Sequence, residues 1–309
     1  MAVTAGEQAF RGEAAIALHA GGLRATFLPG LGMTGVSLRY HGREYLATPG
    51  GIDALRAGHT LGLPLLAPWA NRLGAWRYRA AGVTVDLWGQ PLGTDANGLP
   101  IHGLLVGKPG WRVDALTAGR SAALLHASID VDAPAFPFAH RIELAVAARD
   151  GELVVDTTVV PTGRRGVPVA FGWHPYLRLP GTPRSQWWLR LPARRHLALD
   201  DRQIPTGDNV REHAEHDHIG RRTFDDSYAL GRDRRLALTT DDGDGIELRS
   251  DAGYPYAQVW VPPGRPFAAL EPMTAPTNAL GAGTAPLVAR GDAFTARFTL
   301  VLTAPGSSA

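Results

Sequence analysis

The chain has 309 residues, of which 45% are hydrophobic and 19% charged, and this is the composition of an ordinary globular protein. Its 31 basic and 29 acidic residues are mixed along the sequence, so no basic surface for nucleic acid or a membrane is expected. The absence of cysteine excludes disulfides, thiolate metal sites and a cysteine nucleophile. The first 13 residues lack the apolar core of a signal peptide and no stretch is long enough to span a membrane, so we expect a cytoplasmic protein.

Short strands separated by turns are the expected elements, because 37 glycines and 24 prolines interrupt the sequence throughout. Residues 36–40 alternate between apolar and polar side chains and end at His41-Gly42, which predicts a strand entering a turn. Residues 142–146 and 153–159 alternate in the same way on either side of Asp150-Gly151. This pattern predicts a β-hairpin with a type I′ turn.

The same strand pattern returns near the end of the sequence. Asp244-Gly245 precedes the alternating residues 246–248, and residues 294–300 form a predicted closing strand. No alternation of strands with long helices and no internal repeat is visible, so the predicted class is all-β, organised as one domain over residues 1–309. The polar, weakly patterned residues 200–223 are predicted to form a long surface excursion of that domain.

Five segments combine ionisable or hydrogen-bonding residues with aromatic residues, glycine or proline, a combination typical of loops that form sites on a β scaffold. They are residues 68–72, 101–103, 171–176, 224–228 and 270–274.

Each candidate residue in these segments has a structural and a functional interpretation. Glu271, in an apolar stretch, is either a buried structural acid or a general base whose pKa is raised by desolvation. His174 and His102 either pack structurally or take part in chemistry. Arg72 either covers apolar surface or binds a ligand, and Asp225 either stabilises a turn or binds a ligand.

A cluster of glutamate and histidine at residues 212–218 has the residue types of a metal site. It lies in the polar stretch, without the apolar and aromatic support from which a metal site's surroundings are built. We therefore expect no metal there.

Taken in order, the five segments resemble the aldose 1-epimerase, or galactose mutarotase, family. The resemblance spans residues 22–302 and includes the stretch 204–207. The matching residues are Asn71-Arg72, His102-Gly103 followed by Trp111, His174-Pro175-Tyr176, Asp225 with Tyr228, and Glu271-Pro272 with Asn278.

The resemblance implies a galactose mutarotase-like β-supersandwich of large antiparallel sheets. It also implies interconversion of the α and β anomers of a free aldose without a cofactor. Glu271 would be the general base and His174 the general acid. The sequence of residues 271–276 most resembles that of a bacterial subgroup, which leaves the identity of the sugar open. Asp226 is an alternative to the adjacent Asp225 for the substrate-binding aspartate. The implied substrate-binding residues are Arg72, His102, Asp225, Asn71 and Tyr176.

These residue types suit the reaction, because opening a pyranose requires removal of a proton from O1 and delivery of a proton to O5. We expect Glu271 and His174 to lie within about 8 Å of each other in one pocket that Arg72 and His102 also line. Trp69, Trp173 and Tyr176 are expected to supply apolar surface for the sugar.

Two alternatives stay open. A hexose-phosphate epimerase on the same fold would use nearby cations, for which Arg178, Arg77 and Lys108 are candidates. A non-catalytic sugar-binding module would be expected to lack the base or the acid. The expected partner is a monosaccharide, with no nucleic acid or membrane, and the protein is expected to be a monomer or a homodimer.

Overall fold

Strands dominate the computed structural model, which describes residues 2–305. The strands in the first half of the chain are β1 (Thr4–Phe10), β2 (Glu13–Ala20), β3 (Leu23–Leu28), β4 (Thr34–Tyr40), β5 (Arg43–Glu44), β6 (Leu65–Leu66), β7 (Arg77–Ala80), β8 (Val83–Asp86), β9 (Arg112–Ala118), β10 (Ala123–Ala133), β11 (Phe136–Arg149) and β12 (Glu152–Pro161).

The remaining strands continue in the same style, with several of only two residues. They are β13 (Val167–Pro168), β14 (Gly172–Trp173), β15 (Tyr176–Leu177), β16 (Trp188–Leu191), β17 (Arg194–Leu199), β18 (Pro205–Glu212), β19 (Glu215–His218), β20 (Phe224–Leu230), β21 (Arg235–Thr239), β22 (Gly245–Ala252), β23 (Tyr256–Val261), β24 (Ala268–Met273), β25 (Leu287–Val288) and β26 (Phe294–Thr303).

Helices are short. The α-helices are α1 (Gly51–Arg56) and α2 (Ala279–Ala282), and 3₁₀ turns occupy Pro29–Leu31 and Arg184–Gln186. Within residues 2–305, none of these helices has the length and hydropathy needed to cross a bilayer. The predicted all-β class is therefore confirmed.

Three large antiparallel sheets form the architecture. The first contains β1 to β5 in sequence order. The second has nine strands in the order β19-β16-β21-β22-β26-β12-β11-β10-β9. The third has eight strands in the order β18-β17-β20-β23-β24-β14-β6, with β15 also paired to β24. Two small pairs, β13 with β25 and β7 with β8, complete the strand pairing of the described residues.

The main core lies between the eight-stranded and nine-stranded sheets. Trp173 of β14 is fully buried; its indole N–H donates to the Thr157 hydroxyl on β12, and its ring meets Phe298 of β26 at 5.7 Å. Trp173 is thus a core residue, and the expectation that it supplies surface for a sugar is wrong. Because successive side chains of an extended chain point to opposite sides, His174 faces away from this core.

One cluster of buried side chains draws on all three large sheets. Its members include Leu18 of β2, Leu270 of β24 and Phe298 of β26. The three sheets therefore share one core, and their organisation as a single domain stays a prediction.

The predicted hairpin at Asp150-Gly151 is present, with Arg149 paired to Glu152 across the turn. Gly151 has φ of 70°, but Asp150 does not have a positive φ. The predicted type I′ turn is therefore wrong, because that turn needs positive φ at both central residues. The Asp150 carboxylate instead accepts a hydrogen bond from the Gly22 N–H at 2.8 Å, which ties the turn to the five-stranded sheet.

Three other strand predictions are confirmed, and the predicted surface excursion at residues 200–223 is only partly right. Residues 36–40 lie in β4, residues 246–248 lie in β22 and residues 294–300 lie in β26. The polar residues 200–223 are exposed as expected, yet they contain β18 and β19, which are the edge strands of two different sheets. Most of β18 is exposed on both faces, so its sequence lacks the apolar alternation by which strands are recognised.

Candidate active site

Glu271 and His174 meet on the outer face of the eight-stranded sheet. Glu271 lies in β24, and His174 follows β14, which pairs with β24 through Gly172 and Met273. His174 Nε2 lies 3.4 Å from Glu271 Oε1, and both side chains are buried. The pairing of these two strands therefore brings together an acid and a base that are far apart in sequence.

The position of the His174 ring is fixed from several sides. Its backbone N–H donates to Pro64 O at 3.1 Å, and the Tyr176 ring stacks on it at 4.5 Å with an interplanar angle of 13°. Tyr176 is fixed in turn, since its hydroxyl hydrogen-bonds the Thr60 hydroxyl at 2.7 Å. The geometry gives Tyr176, predicted to bind substrate, a supporting contact with the catalytic histidine candidate.

Burial shifts both members of the pair toward their neutral forms. It raises the pKa of Glu271 well above its usual value, the nearby Asp225 charge raises it further, and the Arg72 charge opposes this. Burial also lowers the pKa of His174 well below its usual value, and His102 adds to the shift. A pair that carries one proton in total satisfies both pKa shifts, because Glu271 can be protonated while His174 is neutral. The Glu271 carboxylate is then a stronger base, and the His174 imidazolium a stronger acid, than it would be in water.

Arg72 is oriented by a residue that the sequence did not single out. Its Nε donates to Asp95 Oδ2 at 2.8 Å, and both side chains are largely buried. Asp95 Oδ1 accepts the N–H groups of Asn97 and Leu99, each at 2.9 Å, which holds the carboxylate in place. Within residues 2–305 the two Arg72 Nη atoms make no hydrogen bond. They are therefore available to donate to a ligand.

His102 and Asn71 adopt left-handed backbone conformations, with φ of 63° and 54°. The His102 N–H donates to Asn71 O at 2.9 Å, and the His102 ring meets the His174 ring edge-on at 5.6 Å. Burial, followed by the Arg72 charge, lowers the pKa of His102 to about 3, which keeps the ring neutral. Gly103 is required next to it, because a Cβ there would lie 2.2 Å from Ala67 O. The Asn71 carbonyl thus holds the backbone of His102, and the predicted role of Asn71 in substrate binding stays a prediction.

Asp225 lies on the same sheet face as Glu271. Its Oδ1 accepts a hydrogen bond from Gln258 Nε2 at 2.7 Å, and Gln258 Oε1 accepts the Ser227 hydroxyl. Gln258 is paired with Glu271 across β23 and β24. A chain of hydrogen bonds therefore fixes the Asp225 carboxylate beside the base candidate.

Asp226 points to the opposite face, as expected for the next residue of a strand. Its Oδ1 lies 3.2 Å from His196 Nε2, and His196 is paired with Tyr228 on that face. Of the two aspartates, Asp225 is the one that shares the sheet face of Glu271 and whose charge acts on it. Its role in binding substrate stays a prediction.

Two cavities border these residues. One of about 710 Å³ is lined by His102, Asp95 and Thr60, and another of about 490 Å³ is lined by Asp225 and His196. Both volumes fall in the range of about 300–1,000 Å³ that is typical of small-molecule sites. Of the four residues expected to share one pocket, His102 lines the larger of these two cavities, while Glu271, His174 and Arg72 line neither of the two. The shared pocket stays a prediction.

A family model described as aldose 1-epimerase matches residues 15–300. The chain belongs to the aldose 1-epimerase family. A comparison with curated protein sequences finds no match. The resemblance inferred from the five segments is thereby confirmed.

Solved structures confirm the galactose mutarotase-like fold of this epimerase-family chain. A galactose mutarotase-like protein from Clostridium acetobutylicum superposes with a TM-score of 0.87 at 18% identity, covering 98% of this chain and 99% of that one. A galactose 1-epimerase from Lactobacillus acidophilus gives 0.75 at 13% identity, covering 96% of both chains. An aldose epimerase homologue from C. elegans gives 0.73 at 16% identity, covering 98% and 99%.

Several residues around the candidate pair of this epimerase-family protein were not singled out in the sequence. Trp260 meets the rings of His174 and Tyr176 at 5.5 and 5.8 Å, and Phe267 meets Tyr176 at 5.2 Å. Gln258 carried a usable signal, because a polar residue inside the apolar strand β23 requires a partner. Asp95 and Thr60 lie in loops and carried no such signal.

The residues first considered for a metal lie away from this pair. His216 and His218 pack against Trp188 at 5.1 and 3.7 Å between ring centroids. In the described part of the chain, residues 2–305, no group of three or more histidine or carboxylate side chains has the arrangement of a metal site.

Proposed function

We propose that the protein is an aldose 1-epimerase that interconverts the α and β anomers of a free aldose, with Glu271 as general base and His174 as general acid. The observation that carries the proposal is the 3.4 Å approach of His174 Nε2 to Glu271 Oε1. O1 and O5 of a pyranose are both bonded to C1. An acid and a base that reach the two oxygens at once must therefore lie near each other, within about 8 Å, and this pair meets that requirement.

Ring opening requires two proton transfers and one bond cleavage. The Glu271 carboxylate accepts the proton of the O1 hydroxyl, the C1–O1 bond becomes a carbonyl, and the C1–O5 bond breaks. Its electron pair remains on O5, which takes a proton from His174 Nε2. The pair begins as carboxylate and imidazolium and ends as carboxylic acid and neutral imidazole. The raised pKa of Glu271 and the lowered pKa of His174 both favour this direction.

Closure on the other face completes the reaction. After rotation about C1–C2, the C5 hydroxyl attacks the opposite face of the carbonyl and returns its proton to His174. Glu271 returns its proton to O1, so the pair regains its starting state. The total number of protons on the pair stays at one throughout.

The substrate hydroxyls would be held by the residues around the pair. The Arg72 Nη atoms donate, neutral His102 offers a ring nitrogen, and the Asp225 carboxylate accepts. His102 Nδ1 is buried without a hydrogen-bond partner, which suits a group that bonds to a ligand. Asn71 and Tyr176 would act by positioning His102 and His174.

Polarimetry tests the proposal. Purified protein added to freshly dissolved α-glucose, α-galactose and other aldoses should accelerate the approach to the equilibrium rotation, and Glu271→Gln should not. Prolonged EDTA treatment should leave the rate unchanged, because neither proton transfer needs a Lewis acid. Sugar binding without any acceleration would instead identify a binding module.

A hexose-phosphate epimerase is the second candidate, favoured by the position of Lys108. Lys108 and His59 line the 710 Å³ cavity together with His102. Of the other cations considered, Arg77 is paired with Asp86 at 2.9 Å. A lower KM for hexose 6-phosphates than for free hexoses, lost in Lys108→Gln, would favour this candidate.

A further inference from the structure

A loop of residues 93–101 carries a carboxylate to Arg72. The Asp95 N–H donates to Leu99 O at 3.0 Å, which closes the loop on itself, and Ile101 forms an isolated β-bridge with Arg72. Asp95 Oδ2 then lies 2.8 Å from Arg72 Nε. Only 6% of the Asp95 side chain and 12% of the Arg72 side chain are exposed. The charges of this ion pair therefore act on each other, and on a ligand beside them, with little screening by solvent.

The Asp95 carboxylate has almost all of its hydrogen-bonding capacity in use. Oδ1 accepts the N–H groups of Asn97 and Leu99, and Oδ2 accepts from Arg72. A carboxylate has about four acceptor sites, so one remains, on Oδ2. Asp95 lines the 710 Å³ cavity together with His102. A ligand hydroxyl can donate to the remaining site, whereas an anionic oxygen cannot donate and is repelled.

The fixed charges around the candidate pair are more negative than positive. Arg72 and Asp225 act on the pKa of Glu271 in opposite directions. The Arg72 charge is compensated by Asp95, while the Asp225 carboxylate accepts its hydrogen bond from a neutral amide. The Glu271–His174 pair, with its one proton, adds no net charge. A ligand bound here therefore meets an excess of negative charge.

We infer that Asp95 makes the site selective for uncharged aldoses over anionic ones, such as uronates and sugar phosphates, by holding Arg72 and compensating its charge. It rests on the proposed function of the Glu271–His174 pair, and it names the substrate class of that site. A guanidinium without a carboxylate partner binds ligand carboxylates and phosphates strongly. Paired through Nε, Arg72 keeps its Nη donors for neutral hydroxyls and offers no free charge to an anion.

Lys108 is a cation that opposes this selectivity. It lines the same cavity, but its side chain is exposed. An exposed charge is screened by solvent and salt, whereas the Asp95–Arg72 pair is largely buried. Asp95 should therefore outweigh Lys108. Selectivity for uncharged aldoses is the opposite of what the hexose-phosphate candidate requires, so the same measurements decide between the two.

Polarimetry on matched neutral and anionic sugars tests the selectivity. The unaltered protein should have a higher kcat/KM for glucose than for glucuronate or glucose 6-phosphate. In Asp95→Asn this ratio should fall about tenfold, because one charge is removed from a largely buried site. Asp95→Glu keeps the charge and should keep the ratio, even if KM rises. An equal loss on all three sugars in Asp95→Asn, or preference for an anionic sugar by the unaltered protein, would overturn the inference.

Asp86 provides a matched control outside the site. Its Oδ2 lies 2.9 Å from Arg77 Nη2, and its Oδ1 accepts the Trp88 N–H at 3.0 Å, so it has the same kinds of partner as Asp95. Both members of this pair are exposed, at 50% and 66%. Asp86→Asn should leave the ratio unchanged. A ratio that falls as much in Asp86→Asn as in Asp95→Asn would assign the effect to the net charge of the protein.

The pH profile gives a readout that a purely structural role of Asp95 would not change. The Arg72 charge lowers the pKa of Glu271, against the larger effect of burial. Removing the compensating charge of Asp95 strengthens the influence of Arg72. The alkaline limb of kcat/KM for glucose should therefore move to lower pH in Asp95→Asn and stay in place in Asp95→Glu. An alkaline limb that does not move in Asp95→Asn contradicts the compensation.

Calorimetric titration with methyl β-glucoside and methyl β-glucuronide separates this inference from the proposed function. Neither glycoside has a free anomeric hydroxyl, so binding does not depend on catalysis. The unaltered protein and Glu271→Gln should bind the glucoside more tightly, and Asp95→Asn should narrow the difference. That result without any mutarotation would reject the proposed function and keep the inference. Equal affinity for both glycosides in the unaltered protein, or binding of neither, contradicts the inference even if aldoses are epimerised.

Discussion

Two buried clusters of ionisable side chains in this protein are built in opposite ways. Asp244, fully buried, receives the Tyr45 hydroxyl on Oδ1 and the Arg43 guanidinium on Oδ2. Glu271 is equally buried, yet within residues 2–305 its carboxylate accepts no hydrogen bond and has only His174 at 3.4 Å. A buried carboxylate is costly unless it is partnered. The cluster around Asp244 is therefore suited to holding sheets together, and Glu271 is left open for a ligand.

The causes of the pKa shifts show the same contrast. The hydrogen bond to Asp244 is the leading reason that the pKa of Arg43 is raised. For Glu271 and His174, burial is the largest cause of the pKa shift, and it disfavours the charged form of each group. Hydrogen-bond partners thus stabilise the charges of the Asp244 cluster, while burial leaves Glu271 and His174 reactive. Perturbation by burial near an open cavity is typical of functional sites.

The largest expected effect comes from breaking the Glu271–His174 pair. Glu271→Gln and His174→Asn preserve shape, and each should lower kcat by about 10²–10⁴-fold, the usual contribution of general acid–base catalysis. Because both protons must move in one ring opening, the double variant should lose little more than either single one. Initial-rate polarimetry measures this, with folding checked by circular dichroism. Single losses below about tenfold, or losses that multiply in the double variant, would contradict a paired mechanism.

Breaking the Asp244 cluster should affect stability and leave chemistry intact. Asp244→Ala removes one partner of a buried ion pair and should lower the free energy of unfolding by about 3 kcal/mol, the lower end of the usual range because Arg43 remains partly exposed. Glu271→Gln should leave stability unchanged or raise it, since it removes a buried carboxylate without hydrogen bonds. Urea unfolding of both variants decides the matter. A larger loss of stability in Glu271→Gln than in Asp244→Ala would invert the comparison.

A smaller effect is expected at Asp225, with its neighbour as control. Asp225→Ala should raise KM about tenfold and change kcat less, because a group that holds a sugar hydroxyl binds ground and transition states alike. Asp226→Ala removes the same chemical group on the opposite face, where it contacts His196, and KM should not change. The two variants are compared by polarimetry at several aldose concentrations. Equal effects would mean that the sheet face does not decide the role.

The sequence predicted the parts of this molecule that depend on local pattern. Alternation of side chains located β4, β12 and β26, and the five segments located Glu271 and His174. Prediction from the sequence failed where a residue distant along the chain determines the conformation or the exposure of a segment. The turn at Asp150 accepts a hydrogen bond from Gly22, and the buried Trp173 donates one to Thr157 in the core. Residues 205–218 contain two edge strands, which need no apolar face.

The residues that orient the site were missed for a related reason. Asp95 and Thr60 gain their roles only when the loops carrying them meet Arg72 and Tyr176 in space. No local pattern encodes such a contact. The roles of Glu271 and His174 themselves stay predictions until variants are measured.

The pH dependence of kcat/KM should reveal the pKa shifts that burial causes in Glu271 and His174. The active pair carries one proton. Lowering the pH adds a second proton to His174, whose pKa is lowered, and raising the pH removes the last proton from Glu271, whose pKa is raised. The acid limb of kcat/KM should therefore lie below the ordinary histidine value of about 6.5, and the alkaline limb above the ordinary glutamate value of about 4.3. On residual rates, the alkaline limb should vanish in His174→Asn, because the Glu271 carboxylate alone needs no proton to act as the base, and the acid limb should then report protonation of Glu271. An alkaline limb that persists in this variant would contradict the assignment.

The smallest expected effect is a displacement of the alkaline limb by the charge on Asp225. That negative charge makes loss of the Glu271 proton harder, because deprotonation places a second negative charge nearby, and it is the second cause of the raised pKa of Glu271 after burial. Asp225→Asn removes the charge and keeps an oxygen that can accept from Gln258 Nε2. The pKa of Glu271 should fall, and the alkaline limb of kcat/KM should move to lower pH. The acid limb, set by His174, should move less, since His102 and not Asp225 is the neighbour that adds to its shift. Complete pH–rate profiles of the unaltered protein, Asp225→Asn and Asp226→Asn measure the displacement at one ionic strength. An alkaline limb that stays fixed in Asp225→Asn, or that moves equally in Asp226→Asn, would mean that Asp225 does not act on the base through its charge.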